Sequence, residues 1–68
     1  MGHTKPNNEP KIVARYKDYE ITKSDATGMF YGLQGTGYIG HNESLSFVIS
    51  LISVEEGAAF DINKVGIL

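Results

Sequence analysis

One segment, Asn42 to Gly57 (NESLSFVISLISVEEG), carries much of the apolar material from which a chain like this can build a core. It can be read in two ways. As a strand, Leu45, Phe47, Ile49 and Leu51 alternate with Ser44, Ser46, Val48 and Ser50, and the β-branched content suits that reading. As a helix, Leu45, Val48, Ile49 and Ile52 fall at the i, i+3, i+4, i+7 spacing of one buried face, and Ser46, Ser50 and Ser53 line the opposite stripe with Glu43. The ends favour the helix. Asn42 is placed to cap its N-terminus, Glu43 suits the positive end of the helix dipole, and Gly57 is placed to stop it. The expectation is therefore a helix over this segment and an α+β domain, a small antiparallel sheet of β-hairpins with one helix packed on it. A strand at residues 44–54 would instead give an all-β five-stranded SH3-like barrel.

The apolar surface of this helix is too wide for a thin sheet. At 100° per residue, Leu45, Val48, Ile49 and Ile52 form one face, and Phe47, Leu51 and Val54 form an adjoining one. Together they span roughly 220°, against the stripe of about 100° or more common on a surface helix. A small sheet covers one side, and an exposed apolar remainder usually marks an interface. The chain has 68 residues and no cysteine, so neither disulfides nor thiolate metal sites can staple it. Association with a second copy through Phe47, Leu51 and Val54 is the expected help; the bland alternative is that residues 58–68 fold over the same face.

The rest of the chain supplies the sheet. Residues 1–10 (MGHTKPNNEP) are polar and proline-containing, and read as a disordered N-terminal arm ahead of a single domain over residues 11–68. Residues 11–24 (KIVARYKDYEITKS) read as a hairpin turning at Lys17-Asp18. That register pairs Tyr16 with Tyr19, Ala14 with Ile21 and Ile12 with Lys23 on one face, and Arg15 with Glu20 and Val13 with Thr22 on the other. Asp25 to Gly28 is a loop, Met29 to Leu33 a strand with Met29, Tyr31 and Leu33 on one side, and residues 38–41 (YIGH) a short fourth strand. The tail AAFDINKVGIL has strand-like stretches that can add an edge.

Gly35 to Gly40 spells G-x-G-x-x-G. With His41 the run resembles the opening loop of extended short-chain dehydrogenases, the sugar-nucleotide epimerase type. That resemblance implies a strand before the glycines, a helix after them, Gly35, Gly37 and Gly40 around a pyrophosphate, and an acid such as Asp61 for the ribose. It extends over about seven residues. The fingerprint works between a buried parallel strand and a helix N-terminus inside βαβ units, and half such a fold approaches the length of this whole chain. The preceding strand is interrupted by Gly32, and Tyr19 and Lys23 form the only Tyr-x-x-x-Lys pair, inside the expected hairpin. The run is read as a glycine-rich turn, and no cofactor is expected.

Other chemistry is sparse. His41 lies near Glu43, but the second histidine, His3, is in the arm, and a metal site needs three or four converging ligands. Asp18, Glu20 and Asp25 fall at turns or on a solvated face, whereas a general-acid pair needs a buried carboxyl. No histidine is placed to activate a serine, so the chain is not expected to be an enzyme. Six basic against eight acidic residues, net −2, speak against a dedicated nucleic-acid binder. Charge can still segregate: Lys11, Arg15 and Lys17 on the first hairpin could meet phosphates, and Tyr16, Tyr19, Phe30, Tyr31 and Tyr38 could form a stacking platform. In coarse layout, three strands and a helix, the chain resembles the arm-site DNA-binding modules of phage-type integrases. The reading is a cytoplasmic, non-enzymatic interaction or regulatory accessory module, homodimeric through the helix. A nucleic-acid-binding module using the first hairpin is the alternative, and no membrane span is present.

Overall fold

The computed structural model describes residues 10–68. The expected arm, Pro10 apart, lies outside the described residues. Five strands form one open antiparallel sheet: β1 (Lys11–Tyr16), β2 (Tyr19–Lys23), β3 (Phe30–Gln34), β4 (Gly37–Asn42) and β5 (Gly66–Ile67), in the order β4-β3-β2-β1-β5. One helix, α1 (Leu45–Glu56), packs on one face, and two single 3₁₀ turns, Gly57–Ala59 and Ile62–Lys64, lead from it to β5. This is the α+β architecture expected, and the barrel alternative is overturned: residues 45–54 are helical and the sheet does not close.

The first hairpin turns at Lys17-Asp18 with the expected pairs Tyr16–Tyr19, Arg15–Glu20 and Ala14–Ile21. Lys17 takes φ 53° and is the one non-glycine residue at positive φ among those described. Positive φ at the first turn residue is what the primed two-residue turns require, and their twist matches that of the flanking strands. Beyond Ala14 the register departs from expectation. A bulge between Ile12 and Ala14 pairs Ile12 with Thr22 and Lys11 with Lys23, so the pairings Ile12–Lys23 and Val13–Thr22 are corrected. The extra residue reverses the facing of Ile12, because side chains alternate with period 2 and a bulge adds one to the count.

The G-x-G-x-x-G run is a hairpin. Gly35 and Thr36 are the two residues between paired Gln34 and Gly37, and Gly35 supplies the positive φ of 58° that the turn needs. Strands on both sides run antiparallel, so the βαβ setting of a dinucleotide fingerprint is absent here. A second bulge leaves Ile39 as the extra residue, with Leu33 opposite Tyr38 and Gly32 opposite Gly40.

The N-cap of α1 also needs correction. It is Ser44, extended at φ −107°, whose hydroxyl accepts from the Phe47 amide at 3.4 Å. Asn42 is still paired with Phe30 in the sheet, so it cannot leave the strand to cap the helix. Its Oδ1 accepts from the Ser44 amide at 2.9 Å instead and sets the corner. At the other end Gly57 stops the helix as expected, at φ 65°, with its amide donating to the Ser53 carbonyl.

Six apolar residues are buried among those described: Ala14, Tyr16, Tyr19, Ile21, Val48 and Ile52. Val13, Phe30, Ile39, Leu45, Ile49, Phe60 and Val65 pack around them, half-buried. The helix rests on a glycine floor. A Cβ at Gly32 would lie 3.0 Å from Val48 Cγ1, and one at Gly40 would lie 2.7 Å from Leu51 Cδ1. Val48 is fully buried and short, whereas Leu51 is half-buried and its tip can swing outward. Gly32→Ala is therefore expected to lower stability by about 1–3 kcal/mol through overpacking, and Gly40→Ala by less. Urea midpoints at unchanged m-value are the measurement, and the reverse order would remove this account of the helix seat.

Candidate interaction surface

Once the sheet has taken Val48 and Ile52, the helix still presents apolar side chains outward. Phe47 is 47% exposed and Val54 77%. Leu51, the third residue of the expected stripe, is half-buried because its tip lies over Gly40. With Ser50 they occupy the i, i+3, i+4, i+7 positions of one outer stripe. No charged residue occurs from Ser44 to Val54, between Glu43 and Glu55. The serines on this side spend hydrogen bonds locally. Ser50 Oγ donates to the Phe47 carbonyl at 2.6 Å, and the Ser44 and Ser46 hydroxyls bond each other at 3.0 Å. A hydroxyl satisfied within its own chain can enter an apolar contact at lower cost.

Lys11, Arg15 and Lys17, the three hairpin cations expected to meet phosphates, do not form one patch. Lys11 pairs with Lys23 near the start of the sheet and is exposed. Arg15 Nε faces Glu20 Oε2 at 3.5 Å on the open face of the sheet. Lys17 Nζ reaches the last turn of α1 and bonds Glu56 Oε1 at 2.9 Å. A phosphate at Arg15 or Lys17 would compete with a carboxylate already in place. The Lys17 contact also brings a cation to the C-terminal end of a helix whose last turn has no basic residue. Tyr19 joins the same carboxylate, its hydroxyl donating to Glu56 Oε2 at 3.1 Å. The hydrogen bond and charge of Lys17 hold the Glu56 carboxyl below the ordinary glutamate range, against an opposing effect of desolvation. The same bond raises Lys17, and desolvation followed by the Glu56 hydrogen bond raises Tyr19.

The five aromatic residues of the expected stacking platform divide between the two faces. Tyr16 and Tyr19 are buried beneath the helix side, their centroids 6.2 Å apart, and Phe30 shares that face by register. Tyr31 and Tyr38 lie on the open face with His41. The Tyr31 and His41 rings stack at 5.3 Å and 24°, and the Tyr38 hydroxyl hydrogen-bonds His41 Nδ1. Strict alternation would put Tyr38 and His41 on opposite faces. The bulge at Ile39 brings them together, so the pairing was invisible to a period-2 reading. The open face is mixed in character, with Thr22 buried at its centre and the Arg15–Glu20 pair at its margin.

Among the described residues no cluster of three or more His, Asp or Glu is arranged to hold a metal. Asp18 Oδ2 accepts from Gln34 Nε2 at 3.2 Å, which ties the two hairpin turns together. No described helix is long and apolar enough to cross a membrane. Comparison with protein-family models, curated proteins and solved structures finds no match to this chain.

The Lys17–Glu56 contact makes a pH prediction. Glu56 has a lowered folded pKa, so its contribution to stability is full at neutral pH and disappears as pH falls through that lowered value. Lys17 has a raised folded pKa, so its contribution is full below the ordinary lysine range and disappears as pH rises through the raised value. Stability should form a plateau between these limbs. Lys17→Met should lower the plateau and flatten the acid limb, read from thermal melts between pH 3 and 8. An acid limb of unchanged slope would show that other carboxylates govern it.

Proposed function

We propose that the chain is a non-enzymatic protein-protein interaction module that works as a homodimer through the outer stripe of α1, with Phe47, Leu51 and Val54 as its contact residues. The observation that carries this reading is the uncharged run from Ser44 to Val54, with Phe47 and Val54 left exposed after the core is filled. The alternative, nucleic-acid binding through Lys11, Arg15 and Lys17, draws less support, because two of these cations face carboxylates.

The stripe is self-complementary. An antiparallel two-fold placed between Ser50 and Leu51 sets Phe47 against Val54 of the other copy and Ser50 against its Leu51. Such a contact is isologous, the same patch serving both copies. It also sets Glu55 near Ser46 at the positive end of the facing helix, where a carboxylate is favoured. A parallel arrangement would place Glu55 and Glu56 against themselves, and like charges repel. Burial of an exposed phenylalanine against a valine removes apolar surface worth about 25 cal/mol per Å², and it adds to a core that a chain of this length can build only thinly.

Light scattering across a concentration series tests the reading, with a dimer expected at micromolar concentration. Val54→Glu replaces a side chain that touches little within its own subunit. It should leave the fold within about 0.5 kcal/mol and weaken association at least tenfold, about 1.4 kcal/mol. A chain that is monomeric at high micromolar concentration, or a dimer indifferent to Val54→Glu, would defeat the proposal.

A further inference from the structure

The segment after α1 is lightly held. From Gly57 to Leu68 it wraps the edge of the sheet and ends as β5, which pairs only Gly66 with Arg15 and Ile67 with Ala14. One further bond runs from the Leu68 amide to the Val13 carbonyl at 2.9 Å. None of its side chains is fully buried. Phe60 and Val65 are half-buried, and Ile62, Ile67 and Leu68 are 57, 62 and 69% exposed.

One buried side chain clasps it. The Tyr16 hydroxyl accepts from the Asp61 amide at 3.1 Å and approaches the Ala59 carbonyl at 3.4 Å as donor, and the Phe60 ring packs on the Tyr16 ring at 5.1 Å. Gly57 stands at the pivot with φ 65° and ψ −138°, a region essentially reserved to glycine. A segment with few buried contacts and a hinge at its root opens at low cost relative to global unfolding.

Opening would uncover the outer edge of β1: the backbone groups of Val13 and Arg15, and beside them the Tyr16 hydroxyl. An uncovered edge accepts another strand by backbone pairing, with side-chain pockets setting preference. We propose that the edge of β1, with Tyr16 as its clasp, is a strand-accepting site that residues 57–68 occupy in self-bound form, and that its partner is an extended apolar segment of another protein. The self-bound strand states the preference. It has an aromatic residue on Tyr16, then six positions later a small residue opposite Arg15, followed by a branched apolar residue opposite Ala14. This site lies apart from the outer stripe of α1 and does not depend on it.

The probe is a labelled peptide of residues 57–68, GAAFDINKVGIL, added to the full chain and followed by fluorescence anisotropy. Phe60→Ala in the chain loosens the internal strand while leaving the site intact, so the peptide should bind this variant at least tenfold tighter than the unsubstituted chain. Hydrogen exchange at Leu68 should accelerate in step. Val65→Ser is a milder second way to loosen the strand. Adding Tyr16→Phe, which keeps the ring and removes the clasp, should weaken peptide binding again. The proposal is overturned if neither loosened variant binds the peptide more tightly while circular dichroism shows α1 intact. It is overturned if both variants lose α1, because residues 57–68 would then be an integral part of the fold. A dimer that survives Val54→Glu and keeps Leu68 protected would assign the edge to a second copy's strand and overturn the foreign partner.

Discussion

The contact on which the rest of this structure depends is that of α1 with a floor of two glycines. Gly32 and Gly40 stand opposite each other on neighbouring strands, directly under Val48 and Leu51. With no Cβ on either, the helix can approach the sheet closely enough for Val48 to be fully buried and for Leu51 to lie across β4. The two bulky residues of the first hairpin, Tyr16 and Tyr19, fill the far side of the same layer. Close packing of this kind makes a core out of six buried apolar residues, and among the described residues it leaves Phe47 and Val54 on the opposite side of the helix exposed.

That geometry ties the two proposals to one cause. A sheet with one layer of helix has two unsatisfied boundaries: the outer side of the helix and the ends of the strand order. At the helix the unsatisfied residues are apolar and uncharged, which suits a second copy of the same surface. At the β1 edge the chain covers itself with a two-residue strand held through a tyrosine hydroxyl. Lys17 lies between these regions. It makes the first turn at positive φ and anchors Glu56 just before Gly57, so the end of the helix is held where the C-terminal segment turns away from it.

Much of the fold was legible in the residue pattern. The helical spacing of Leu45, Val48, Ile49 and Ile52, the stop at Gly57, and the three pairs nearest the Lys17-Asp18 turn all follow from local periodicity and turn geometry. The division of α1 into a covered face and an outer stripe of Phe47 and Val54 was legible for the same reason. Helical periodicity places Leu51 wholly on the outer stripe, and its partial burial comes from Gly40, a residue eleven positions earlier in the chain. The bulges were not legible. Each inserts one residue between paired strands, so Ile12 changes face and Tyr38 joins His41, and nothing in a period-2 pattern announces where the extra residue falls.

The residues alone determined where the hairpin turns form, favoured a helix over a strand at residues 44–54, and showed that the apolar surface of such a helix exceeds what a small sheet can hide. These follow from side-chain periodicity and backbone preferences acting over a few neighbours. Only the tertiary structure decided which cations meet carboxylates, which aromatics share a face, that Ser44 caps the helix in place of strand-bound Asn42, and that the tail reaches back to Tyr16. Those outcomes join residues about forty positions apart or hinge on a single-residue shift of register. They are set by how the packed layers meet, and short-range pattern has no means to express that.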